Sequence, residues 1–158
     1  MQTISINKNN AVTAFNNADA TGKKLLTDLF GKDLVSEKIT DRIKTFEDAL
    51  ALYPPSENLK HLLNYNGLDP VLNGAKAMAE LNIIASALNE GWQPDWTDSS
   101  QYKYYPWFKK SGSGLSFLGA DHWSTVTYVG SRLCFKSREL AEYAANQFKD
   151  IYTQFMAL

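Results

Sequence analysis

The sequence predicts an α+β protein: a helical N-terminal half followed by a small antiparallel sheet of three to four strands, with a C-terminal amphipathic helix packed on it. Three observations predict this. Apolar residues recur at helical spacing through residues 1–90. The composition changes at Gly91, since 5 of the 20 aromatic residues precede it and 15 follow. Beyond that point β-prone runs alternate with turn residues. The expected organisation is a mainly helical part, 1–90, and an aromatic-rich sheet-plus-helix part, 91–158, forming one compact unit.

In the first half, Met1 to Ile6 reads as an extended arm. Ala11, Val12, Phe15 and Ala18 then share a helix face. Thr21 is a candidate N-cap for a second helix carrying Leu25, Leu26, Leu29 and Phe30, and Gly31 is its stop. Ser36 can cap a third helix. Its stripe of Ile39, Ile43, Phe46, Leu50 and Tyr53 recurs at steps of four, three, four and three until Pro54-Pro55 ends it. Ser56 to Tyr65 reads as a short helix closed by Asn66-Gly67. Asp69-Pro70 places an N-cap before proline at the first helical position. The helix that follows runs to about Asn89 and is apolar nearly all round from Leu81 to Leu88, which predicts a central buried helix.

In the second half, Tyr102 to Phe108 contains Pro106 and is expected as an edge strand, because proline cannot donate to a ladder. Ser111 to Gly114 is a turn. Trp123 to Val129 reads as a strand, Gly130-Ser131 as a tight hairpin turn, and Arg132 to Lys136 as the return strand. Ser137 caps the last helix, whose face is Leu140, Tyr143, Ala144, Phe148, Ile151, Tyr152 and Phe155.

Composition bounds the function. The net charge is −1, which supplies no general field for nucleic acid or an anionic membrane. No run of about 18 apolar residues could span a bilayer, and no signal peptide is evident, so no membrane partner and a cytoplasmic location are expected. The single cysteine, Cys134, reads as a packing residue of a reducing compartment. Neither a catalytic set nor a metal site is expected. His61, His122 and Cys134 sit in no nucleophile motif, and the ligand spacings that zinc needs are missing. Ser111-Gly112-Ser113-Gly114 lacks the lysine of a phosphate cradle, so no cofactor is expected.

One interval stands out. Residues 103–138 hold six basic side chains (Lys103, Lys109, Lys110, Arg132, Lys136, Arg138) against Asp121 alone. They also hold eight aromatics. Rings beside cations on a sheet can form a platform for single-stranded nucleic acid, where bases stack and cations track phosphates. The simpler reading is that many of these rings are the core of a small sheet, and they can also form a protein-binding surface. The candidate binding residues are Lys103, Tyr104, Tyr105, Trp107, Trp123, Arg132 and Lys136. Tyr104, Tyr105 and Trp107 cannot all point inward, because neighbours on a strand alternate faces.

Three segments carry a resemblance: Ile39–Ala49, Ala87–Trp96 running on to Tyr102–Phe108, and Gly130–Ser137 leading into Glu139–Tyr143. They resemble an uncharacterised protein family of Bacteroidetes genomes and their phages. The resemblance implies a mobile-element setting and brings no enzyme class or catalytic residue. The expected function is thus a non-enzymatic accessory protein that binds another protein or itself. The alternative is single-strand nucleic-acid binding on the basic aromatic face.

Overall fold

The computed structural model describes Ile6 and residues 8–31, 38–112, 114–126 and 133–156. By residue contacts the chain divides into two units, Met1–Arg42 and Ile43–Leu158. The arm before Ile6, the Ser36 cap and the Gly130-Ser131 turn lie outside the described residues.

The first unit contains α1 (Lys8–Asn17), α2 (Ala20–Phe30) and the single turn α3 (Ile39–Arg42). The N-cap of α2 is Asp19, two residues before the expected Thr21. Its carboxylate accepts from the Gly22 amide at 2.8 Å. An aspartate there satisfies an orphan amide and also meets the positive end of the helix dipole. Gly31, at φ 77°, ends the helix as expected.

The expected long helix over Ile39–Tyr53 is broken. It resumes as α4 (Phe46–Leu52) after a non-helical Ile43–Thr45. Thr45 and Asp48 form a capping box. The Thr45 hydroxyl accepts from the Asp48 amide, and the Asp48 carboxylate accepts from the amides of Lys44 and Thr45. These bonds offer the backbone a local alternative to helix, which the apolar periodicity alone does not reveal. Those same two amides hold the Asp48 carboxyl below the usual range.

Next come α5 (Glu57–Leu63), capped by Ser56, and α6 (Pro70–Asn89). The Asp69 carboxylate accepts from the amides of Val71 and Leu72, and Pro70 opens the helix. The second half of α6 is buried from Glu80 to Asn89 apart from Asn82 and Ser86, and α6 touches α4, α5, and the two C-terminal helices. It is the central helix that its sequence predicts. Glu90 closes it in the left-handed region (φ 51°), followed by Gly91 at φ 82°.

β1 (Lys103–Ser111) and β2 (Gly114–Trp123) form an antiparallel hairpin, the two-stranded sheet of the described residues. Ser111 pairs with Gly114, where the sequence predicts a turn, and β2 is a strand that the sequence reading passed over. Of the strand expected over Trp123–Val129, 127–129 fall outside the described residues, Ser124–Val126 lie beyond β2, and Trp123 ends it. Pairing ends there because β1 begins at Lys103, opposite Trp123. Of the expected return strand, among the described residues Leu133–Lys136, Phe135 pairs, in an isolated bridge with Tyr104.

The last helix is two: α7 (Arg138–Gln147), capped by Ser137, and α8 (Lys149–Met156). α7 lies on both strands and α8 on α6. The bend at Phe148 (φ −114°, ψ 31°) keeps that ring buried while the chain turns from the sheet to the helix layer.

Candidate functional site

The hairpin is built from the register upward. Tyr104 exchanges two backbone bonds with Phe135, at 3.0 and 2.7 Å, so its polar groups point away from β2. Backbone direction alternates along a strand, so the position of Pro106 also faces outward. Its missing amide costs the β1–β2 ladder nothing, which is why proline sits inside a paired strand. Farther on, Trp107 pairs with Gly119 but Phe108 pairs with Phe117. Leu118 is the extra residue of a β-bulge. Sequence carried a signal for it: Leu115 and Phe117 keep a period of two, and Ala120 and His122 resume it one position out of phase.

The bulge leaves two large apolar side chains in solvent. Trp107 is 53% exposed and Leu118 60%. Gly119, opposite Trp107, has φ 153°, a conformation that favours glycine. Nearby rings are packed instead. Tyr105 is buried, with its ring stacked 6.4 Å from Trp123 and tilted at 6.1 Å against Trp107. Burial, and then the negative Asp121 paired across the hairpin, push the Tyr105 hydroxyl up. Tyr104 is half-buried, 5.5 Å from the His122 ring, with the Arg138 guanidinium 5.5 Å above it. Phe108 meets Tyr152 of α8 at 5.0 Å.

The basic residues divide likewise. Lys103 is wholly buried. Its Nζ donates to the backbone carbonyls of Asp95, Asp98 and Gln101 and lies 5.4 Å from the Trp96 ring centre. Lys136 pairs with Glu90 at 2.9 Å. Arg138 donates to the Ala120 carbonyl. Lys110 reaches the Met156 carbonyl at 3.4 Å, and Lys109 is exposed. Arg132 lies outside the described residues. Of the sequence-predicted set, the structure brings Tyr105, Trp107 and Trp123 together. Lys103 is held beneath the 95–101 loop, and Lys136 stands at the end of α6.

Cys134 is buried, and burial pushes its thiol up to about 11. At neutral pH it is therefore a thiol, a poor nucleophile. Among the described residues no three His, Cys, Asp or Glu side chains come together as a metal group, and no helix is long and apolar enough to cross a membrane.

Sequence reasoning missed Leu118, Gly119 and Trp96. The first two follow from a pairing register, and the third from a loop that folds over Lys103. No family model, curated protein or solved structure matches this chain.

Proposed function

We propose that this protein is a non-enzymatic protein-interaction module whose contact surface is the hairpin bulge around Trp107 and Leu118. The carrying observation is the exposure of these two side chains, 53% and 60%, beside the buried Tyr105 and half-buried Trp123 rings. Tryptophan held on a paired strand offers a large contact area with little conformational entropy to lose, as interface anchors do. The resemblance to a phage and mobile-element family suits an accessory role of this kind, in the cytoplasm. The fitting partner is a protein that presents an apolar pocket.

Single-strand nucleic-acid binding is the second reading. It is favoured by the exposed Lys109 two residues beyond Trp107. Against it, Lys103, Lys136 and Arg138 are already bonded within the chain.

One experiment separates them. A photo-crosslinking residue at position 118 should give a discrete protein adduct in cells, lost when Trp107→Ala is added. The same residue at exposed Asn146 should give none. Absence of any adduct specific to position 118 would count against the interaction reading. Quenching of tryptophan fluorescence by a labelled oligonucleotide, steeply weakened by salt, would instead support nucleic acid.

A further inference from the structure

The first half of α6 has an apolar stripe that nothing in the second unit covers. Leu68, just before the helix, is 96% exposed and Val71 76%, and Leu72 and Met78 are also exposed. Leu68, Val71, Ala75, Met78 and Asn82 follow steps of three, four, three and four, the spacing of a helix-pairing seam. None of these five is charged. The polar side chains beside them are occupied elsewhere: Asp69 caps the helix and Lys76 donates to the Tyr65 carbonyl at 3.0 Å.

Gly74 is the second, independent observation. It lies inside α6, where glycine costs about 1 kcal/mol relative to alanine. Nothing within the chain asks for it: a Cβ there would meet no atom within 4 Å, and its φ is not positive. Small residues at a helix face allow a second helix to approach closely. Gly74 and Ala75 form such a spot midway between Val71 and Met78.

We infer that this face pairs with the same face of a second copy, α6 against α6 in antiparallel sense, with the two-fold axis at Ala75. The pattern is self-complementary under that operation. Met78 falls against Leu72 of the partner subunit, Val71 against Ala79 of the partner subunit, and Ala75 against its own copy. No like charges are opposed, since Lys76 falls against Gly74 of the partner subunit and Glu80 against Pro70 of the partner subunit. Antiparallel helices also align their dipoles favourably. The exposed apolar side chains amount to roughly 450 Å² per copy, near the size of a functional patch on a monomer. Two copies with their polar rim bury about 1,000 Å², the lower edge of specific interfaces, which means a weak, concentration-dependent dimer.

Sedimentation of the full chain from about 1 µM to about 500 µM tests this, with a dissociation constant expected in the micromolar range. Val71→Glu and Met78→Glu, both at exposed positions, should each weaken the dimer at least about tenfold with an unchanged circular dichroism spectrum. Gly74→Ala should raise the Tm of dilute protein yet weaken the dimer. Ala75→Cys should form an intermolecular disulfide on oxidation, whereas Asn146→Cys on α7 and the native chain with its buried Cys134 should not. This cross-link decides the matter if a charged variant fails to fold. A monomer across the whole range overturns the proposal. So does a dimer indifferent to both glutamates, or one lost only with Trp107→Ala.

Discussion

Lys103 reaches under the 95–101 loop so that its Nζ sits 5.4 Å from the Trp96 ring centre and bonds three carbonyls of that same loop. A lysine with no exposed surface is uncommon, and here it pins a loop to the first residue of β1. Lys103→Met would keep the stem's volume and leave three carbonyls without that donor. The expected loss is about 2–4 kcal/mol in urea denaturation. A loss below about 0.5 kcal/mol would show that the loop is held by other contacts.

Neighbouring aromatics of β1 should behave oppositely. Tyr105→Ala empties a buried site and should cost about 3–5 kcal/mol. Trp107→Ala removes an exposed ring and should cost less than about 1 kcal/mol while abolishing partner capture. Thermal denaturation of both proteins checks the contrast. Equal losses would mean that Trp107 belongs to the core.

Asn89 joins three elements. Its Nδ2 donates to the Cys134 carbonyl at 2.8 Å, and its Oδ1 accepts from the Lys136 amide at 2.9 Å. Phe135, between them, bonds Tyr104 of β1. Asn89→Ala should therefore cost about 2–3 kcal/mol, from one buried and one part-buried bond lost. Amide exchange at Lys136 should quicken far more than exchange within α7. Uniform quickening would argue for global destabilisation only.

Cys134 predicts an alkaline effect. The folded thiol is raised from 9.0 to about 11, mainly by burial. Well below 9 both states keep the proton and the thiol contributes no pH dependence. Between 9 and about 11 the unfolded chain loses its proton first, so stability falls as pH rises. The slope should be about 1.4 kcal/mol per pH unit at most, and it should vanish from this source in Cys134→Ala. Alkylation of the native protein at neutral pH should also be slow, and fast in urea. Denaturation curves of both proteins between pH 8 and pH 11 give the readout, and parallel curves would refute the assignment.

The helix ends of this protein are local chemistry, and the sequence displays them. Ser56, Asp69-Pro70, Ser137 and Gly31 act where they stand, because a cap needs only the amides of its own first turn. The apolar run of Leu81–Leu88 likewise announces a helix with no wet face. Periodicity misled where a local bond competed with it, as Thr45 and Asp48 did in cutting the third helix.

The sheet was legible only in kind. Aromatic and β-branched residues mark Tyr102–Phe108 and Trp123–Val129 as strand-prone, but strand pairing joins residues that propensity treats separately. Register decided that Leu118 bulges out beside Trp107 and that Phe135 bridges Tyr104. The same holds for the charges. Composition counts Lys103 among six basic residues of a potential binding face, while the folded chain encloses it. Sequence by itself determined the α+β class, the helix ends at Gly31, Asp69-Pro70 and Ser137, and the buried helix, since those depend on residues a few positions apart. Only the tertiary structure decided which aromatic meets solvent and which lysine is occupied, since both depend on what a distant segment lays over them.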